Sequence, residues 1–134
     1  MGRKPKARES LEALLQSTSL ALFPEQDGRA RVSIDSVDVC GDTPLHVLLQ
    51  RGNDYGCRVL IEAGAEVNAV GDLGYTPLHV AVMKGNEDMI ALLLAAGARA
   101  DLPCEFGETA VAMAERNDPA LARALKRPSV QRSG

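Results

Sequence analysis

The side chains best suited to chemistry in this sequence are two histidines and three cysteines, so their spacing comes first. His46 and His79 are far apart along the chain, and Cys40, Cys57 and Cys104 form no Cys-x-x-Cys pair. Metal sites of the zinc type need closer ligand spacing, so none is indicated. No base-orienting group or oxyanion hole accompanies a cysteine at a recognisable spacing, which argues against a thiol nucleophile. We therefore predict no catalytic residue, no metal, no cofactor, no small-molecule substrate and no enzyme activity.

Charge is distributed unevenly along the 134 residues. The formal net charge is −3, yet the first eight residues and the last twelve each carry four basic side chains and no acidic one. The 114 residues between them carry seven basic and eighteen acidic side chains, a net charge of −11. This acidic body would repel a phosphate backbone and favours a protein partner with a basic patch. Nucleic-acid binding through the basic ends is a weaker alternative, because no aromatic residue there can stack on a base.

Other signals concern the location of the protein. The odd number of cysteines, at no ligand spacing, indicates free thiols in a reducing compartment. Polar residues interrupt the apolar run after the basic start MGRKPKARES, so we expect no secretory signal. No stretch approaches the roughly 18 apolar residues that a membrane span requires. We therefore predict a cytoplasmic protein that does not contact a membrane.

A 33-residue period organises most of the chain. The segment Gly41–His46 (GDTPLH) recurs as Gly74–His79 (GYTPLH), and a weaker copy begins at Gly107. The same phase relates Glu62–Asn68 to Ala95–Asp101, and it gives His46 and His79 equivalent places. A period of this length is typical of stacked units in which each unit covers the apolar face of its neighbour.

Each unit is predicted to be a hairpin followed by two short antiparallel helices. A threonine suits the N-cap of the first helix, a proline suits its first turn, and glycines suit the ends of both helices. These residues are Thr43 and Thr76, Pro44 and Pro77, Gly52 and Gly85, and Gly64 and Gly97. The second helix buries Cys57, Leu60 and Ile61 at helical spacing. Helices of about two turns are unstable alone, so the units must be stacked.

The unit resembles the ankyrin repeat. The segment Thr76–Ala81 (TPLHVA) matches the T-P-L-H-x-A pattern of that family, and Thr43–Leu48 departs from it only at Leu48. The resemblance covers residues 33–127 and implies an all-α solenoid of hairpin loops and antiparallel helix pairs. It also implies that His46 and His79 bond to backbone near the hairpins and stiffen each unit.

Both ends depart from the regular pattern, so we predict two regular repeats between degenerate caps. In the third copy residues 110–112 (AVA) replace Pro-Leu-His, and the second helix begins at Asp118-Pro119 without a glycine turn. Upstream, a helical cap is predicted from Leu11, Leu14 and Leu15, with Leu20 as a further candidate. The predicted divisions are a basic flexible N-terminus at 1–7, a capping helix and loop at 8–32, the ankyrin repeat domain at 33–127 and a flexible tail at 128–134.

The resemblance further implies that partners bind to the hairpin tips and to the exposed side of each first helix. The tip positions are Val39, Cys40, Asp42, Asp72, Leu73, Tyr75, Glu105, Phe106 and Glu108. The helix positions are Gln50, Arg51, Met83, Lys84 and Arg116. Cys40, Leu73 and Phe106 stand at equivalent tip positions, and an apolar strip rimmed by charge is typical of an interface. We predict that this strip binds the partner; the alternative is that the tips pack on one another.

Together these features predict a protein–protein interaction module that acts as an adaptor, a regulatory subunit or an inhibitor. One alternative is a protein that neutralises a toxin or effector enzyme by covering its active site. With so few repeats, a monomer or a weak homodimer is the expected state.

Overall fold

Short helices make up most of the structure, a computed structural model that describes residues 10–126. The α-helices are α1 (Leu11–Gln16), α2 (Ser19–Leu22), α3 (Pro44–Arg51), α4 (Asp54–Glu62), α5 (Pro77–Lys84), α6 (Glu87–Ala95), α7 (Ala110–Asn117) and α8 (Pro119–Lys126). Two single 3₁₀ turns lie at Pro24–Gln26 and Asp72–Gly74, and residues 10–126 contain no β-strand. The predicted flexible segments 1–7 and 128–134 lie outside the described residues. No helix within the described range is long and apolar enough to cross a bilayer.

From α3 onward the helices form two layers. The first helices α3, α5 and α7 pack against one another in chain order, and α4, α6 and α8 do the same in the second layer. Thr43, Thr76 and Thr109 each precede a helix of the first layer. One continuous core lies between the layers and includes the fully buried Leu48 and Leu60. The prediction of an all-α solenoid with a 33-residue period is confirmed.

Threonine and histidine together fix the start of each regular first helix. Thr43 Oγ1 accepts a bond from the His46 backbone N–H at 3.4 Å, and the Thr43 backbone N–H donates to His46 Nδ1 at 3.0 Å. Thr76 and His79 repeat both contacts. Because Nδ1 accepts, Nε2 carries the proton, and in His46 it donates to the carbonyl of Tyr75 at 2.9 Å. Each histidine therefore links its own helix to the next hairpin.

Glycines end the helices of the regular repeats. Gly52 and Gly85 follow α3 and α5 with φ values of 74° and 66°, in the left-handed region that glycine adopts without steric cost. Gly64 and Gly97 follow the second helices with φ values of 100° and 102°. Pro44 and Pro77 occupy the first turn of α3 and α5.

The third unit ends the stack. Thr109 Oγ1 accepts from the Ala112 N–H at 3.1 Å, so α7 keeps its cap although it lacks the proline and the histidine. The carboxylate of Asp118 accepts from the Ala120 N–H at the start of α8. Leucines of α8 are buried against α6 and α7, and the exposed side of α8 carries charge, including Lys126, which pairs with Glu115 at 2.7 Å.

The N-terminal unit contains two short helices, α1 and α2, where a single capping helix was predicted. Ser17 Oγ and Thr18 Oγ1 donate to the carbonyls of Leu14 and Leu15, both at 2.6 Å, and compete with continuation of the helix. The chain therefore breaks between α1 and α2, and the register of the apolar side changes. The candidate core residue Leu20 is consequently 58% exposed.

Leu22, and not the predicted Leu20, is the buried leucine of α2. The order of packing is also reversed, because α1 lies against α4 and α2 against α3. The side chains of Gln16 and Ser19 both donate to the Ala30 carbonyl and hold the following loop against this unit. The N-terminal unit thus covers the open end of the first repeat.

Candidate partner-binding groove

Three equivalent hairpins lie along one edge of the stack. Each is closed by a backbone bond of 2.9–3.0 Å between a residue and the residue four positions later. The bonds run from Asp38 N to Asp42 O, from Gly71 N to Tyr75 O and from Cys104 N to Glu108 O. This geometry places the predicted tip residues side by side along that edge.

The second hairpin differs from the other two in its backbone. Leu73 has φ 58° and ψ 19°, and Gly74 follows it with φ 80°. The equivalent residues Cys40 and Phe106 do not have positive φ. A left-handed conformation costs a residue with a Cβ about 1–2 kcal/mol. The Leu73 side chain lines a groove beside the first layer of helices.

That groove lies between the first and second repeats and encloses about 520 Å³. Its apolar lining consists of Val47, Leu73, Tyr75, Val80, Met83 and Ala21. Its polar lining includes three carboxylates at the hairpin end and Gln50 and Arg51 at the far end of α3. The groove unites seven of the predicted partner-binding residues: Asp42, Gln50, Arg51, Asp72, Leu73, Tyr75 and Met83.

The other predicted residues do not line this groove. Lys84 lies in an adjoining polar depression with Gln50 and Arg51. The remaining six are Val39, Cys40, Glu105, Phe106, Glu108 and Arg116. Phe106 is 69% exposed at the third tip. The apolar strip is therefore divided, because Leu73 faces the groove while Cys40 and Phe106 do not.

The second and third tips are joined through their backbones, and their apolar side chains stay exposed. Leu73 O accepts from the Glu105 N–H at 2.9 Å, whereas the Leu73 side chain is 42% exposed. Tyr75 is more constrained, since it packs on the core and its ring centroid lies 5.6 Å from that of His79. Tyr75 thus supports the fold as well as forming the floor of the groove.

Three carboxylates form the acidic end of the groove. Asp38 Oδ1 accepts from the backbone N–H groups of Cys40 and Asp42, each at 2.9 Å, and Asp42 Oδ1 accepts from Asp72 N at 2.9 Å. The Asp72 carboxylate raises the pKa of the nearby Cys40 thiol, and desolvation and the other two carboxylates act in the same direction. Among residues 10–126 no basic side chain forms an ion pair with these three aspartates.

The equivalent surface of the third repeat is closed by an ion pair. Glu108 and Arg116 occupy the positions that Tyr75 and Met83 occupy one repeat earlier. Arg116 donates to both carboxylate oxygens of Glu108 at 2.8 Å, and this bonding lowers the pKa of Glu108. The apolar position that Met83 holds in the second repeat is therefore occupied by a paired charge in the third.

His46 and Cys57, two potentially reactive side chains, are buried in the packed structure. Burial lowers the pKa of His46, so its ring is neutral near pH 7. Cys57 is fully buried in α4, and desolvation raises the pKa of its thiol to about 12. Within the described range, no three side chains of the His, Cys, Asp or Glu type are arranged to hold a metal ion.

Five residues that line the groove were not among the predicted partner-binding residues: His46, which was predicted to be structural, and Ala21, Asp38, Val47 and Val80. Val47 and Val80 were detectable, because both stand directly after the histidine of the repeat motif. Asp38 lies one period before Gly71, so its hairpin position was also available from the repeat. Ala21 carried no signal, since it belongs to the irregular N-terminal unit.

Residues 7–104 match the family described as ankyrin repeats, in three copies. The chain belongs to the ankyrin repeat family. Members of this family are binding scaffolds that generally hold other proteins. The match to ankyrin repeats begins well before the predicted start at residue 33. Ser10 lies one period before Thr43, and its hydroxyl caps α1 as Thr43 caps α3.

Beyond residue 104, helices α7 and α8 continue the ankyrin stack in the structure. No curated protein matches the chain. The family is thus established by the repeat itself, and the partner has to be inferred from the groove.

Proposed function

We propose that this chain is a protein–protein interaction module that holds its partner in the groove between the first and second repeats. It would act as an adaptor, a regulatory subunit or an inhibitor. The observation that carries the proposal is a cluster of apolar side chains, half-exposed Leu73 and Met83 with partly buried Tyr75, beside carboxylates that no cation of residues 10–126 pairs with. Apolar patches with a charged rim are typical of interfaces, and the family binds other proteins.

The mechanism is steric and electrostatic. The floor of the groove rests on a continuous helical core, and the second and third tips are bonded to each other. A groove that is already ordered loses little conformational entropy on binding. The acidic end attracts a partner with a basic patch and raises the association rate more than the affinity.

We place the protein in the cytoplasm as a non-catalytic component. Support comes from Cys40, Cys57 and Cys104, which are all free thiols in the structure, as a reducing compartment would keep them. Buried Cys57 and Cys104 pack as small apolar residues.

The test is affinity capture from a native lysate with the immobilised chain, followed by mass spectrometry. Met83→Ala should lose the captured partner, because Met83 is 42% exposed in the groove and its loss leaves the core intact. The matched control is Val70→Ala, which removes an apolar side chain that is 61% exposed outside the groove. Both variants should melt within about 2 °C of the parent.

Phe106→Ala separates the groove from the third hairpin tip. Under the proposal it retains most of the captured partner, since Phe106 does not line the groove. Loss of the partner with Phe106→Ala but not with Met83→Ala would move the site to the third tip. Retention of the same partner by Leu73→Ala, Tyr75→Ala and Met83→Ala alike would refute binding in the groove.

A further inference from the structure

The acidic end of the groove lacks a cation among the described residues. Asp38, Asp42 and Asp72 converge there, and the basic side chain that lines the groove is Arg51. Arg51 ends the eight-residue helix α3, whereas Asp42 precedes it, so about 12 Å of helix separates the two. Arg51 Nη1 also donates to the Ser17 carbonyl at 3.2 Å. No basic side chain of residues 10–126 therefore pairs with the three negative charges.

The apolar part of the groove depends on an unusual backbone. In the first and third hairpins Gly41 and Gly107 supply the left-handed residue, and Gly74 supplies it equally in the second. The additional left-handed conformation at Leu73 is therefore not needed to reverse the chain. Residues held in such conformations are concentrated at binding sites, where the fold supports a side chain in a required position. Here the Leu73 side chain lines the same groove as Tyr75 and Met83.

We infer that the groove receives a peptide segment of the partner in which an arginine or lysine stands next to a bulky apolar residue. The cation lies against Asp38, Asp42 and Asp72, and the apolar side chain lies between Leu73, Tyr75 and Met83. The inference rests on the proposed function and specifies the chemistry of the partner. Asp38 and Asp42 each accept backbone bonds through Oδ1, so their Oδ2 atoms and the Asp72 carboxylate are the oxygens to which a planar guanidinium would bond.

A library of random twelve-residue peptides displayed on phage is the probe, selected against the full-length chain. Enriched sequences should combine arginine or lysine with an adjacent leucine, isoleucine, methionine or phenylalanine. A synthetic peptide of the enriched sequence should bind at least fivefold more weakly to Asp72→Asn, which keeps the shape of the side chain and removes its charge. Raising the salt to about 0.5 M should weaken binding to the parent and reduce that difference.

Glu62→Gln is the matched control, because it removes an exposed carboxylate at the end of α4, away from the groove. It should bind the peptide within twofold of the parent, while Met83→Ala should weaken binding as Asp72→Asn does. The inference is overturned if enriched peptides lack a cation, if Asp72→Asn binds as Glu62→Gln does, or if no peptide is enriched.

Two further results separate this inference from the proposed function. If capture of the partner from lysate is lost with Met83→Ala while Asp72→Asn captures normally, the groove binds a partner but the cationic chemistry is wrong. If the full-length chain self-associates in sedimentation velocity and Asp72→Asn abolishes this, the occupant is a second copy. That result would overturn the inference that a peptide from another protein occupies the groove.

Discussion

Gly71 is the residue whose replacement most directly tests the contact between the first and second repeats. Its φ and ψ are −106° and −150°, which alanine adopts without strain. A Cβ at this position would overlap Asp42 Oδ1 and would lie 2.8 Å from His46 Nε2. Those atoms make the hydrogen bonds to Asp72 N and Tyr75 O that join the two repeats. Gly71→Ala must therefore displace at least one of them.

The expected cost follows from these two bonds. His46 is buried, and an N–H group left there without an acceptor costs about 1–3 kcal/mol. The bond to Asp42 lies nearer the surface and contributes about 1 kcal/mol. We expect Gly71→Ala to lower the free energy of unfolding by about 2–4 kcal/mol, which corresponds to a fall in melting temperature of roughly 10 °C. Urea unfolding followed by circular dichroism, together with calorimetry, measures both quantities.

Gly107→Ala is the matched control for this change. Gly107 has φ 81° and open space where a Cβ would be, so alanine there introduces backbone strain of about 1 kcal/mol and no collision. Asp42→Ala provides a second check, because it removes the atom that a methyl at residue 71 would overlap. In that background Gly71→Ala should cost at least about 1 kcal/mol less. Equal costs for Gly71→Ala and Gly107→Ala, or strict additivity with Asp42→Ala, would refute the described packing.

Three other predictions concern titration and charge. Burial lowers the pKa of His46, so the unfolded chain binds more protons as the pH falls below about 6.5, and the unfolding free energy should decrease by about 1 kcal/mol between pH 7 and 5.5. Urea unfolding measures this slope, which His46→Asn should flatten; an unchanged slope in that variant would contradict the assignment. With a thiol reagent at pH 8, Cys57 should react only after unfolding, because it is buried with a pKa of about 12, and Asp72→Asn should accelerate labelling of exposed Cys40. Arg116→Ala should leave the urea midpoint close to that of the parent, since the Arg116 side chain is 61% exposed, and a large fall of the midpoint in the same assay would show a structural role.

Much of the fold was predictable because its determinants are local and repeated. Thr43 and Thr76, with the proline and histidine that follow them, specify a capped helix start, and the glycine eight residues after each proline specifies its end. The break in the N-terminal unit was harder to predict, because it depends on Ser17 and Thr18 hydroxyls that can either face solvent or bond to the preceding turn. For the same reason the exposure of Leu20 was not predicted.

The candidate site was predictable only in part. The period identified which residues stand at equivalent places, and seven of them do meet in one groove. The backbone at Leu73 could not be foreseen, because the corresponding turns at Cys40 and Phe106 also precede a glycine and do not have a positive φ. Leu73, the member of the predicted strip with the left-handed backbone, is also the member that lines the groove, so the strip is divided.

The location of the groove follows from how the two contacts between hairpins differ. At the contact between the first and second hairpins, Asp42 Oδ1 accepts a hydrogen bond from Asp72 N. Residue 71 must be glycine here, because a Cβ on Gly71 would overlap the Asp42 carboxylate. At the contact between the second and third hairpins, Tyr75 takes the position of Asp42 and Cys104 takes the position of Gly71. Because no aspartate occupies that position, the buried side chain of Cys104 fits there.

The second contact instead joins the backbones of Leu73 and Glu105 directly. Tyr75 does not bridge the two hairpins as Asp42 does. Its ring lies near that of His79 and forms part of the groove floor beside Met83. One repeat later the same positions carry Glu108 and Arg116, which neutralise each other. A partner that needs an apolar groove beside unpaired carboxylates therefore finds both where the first and second repeats meet.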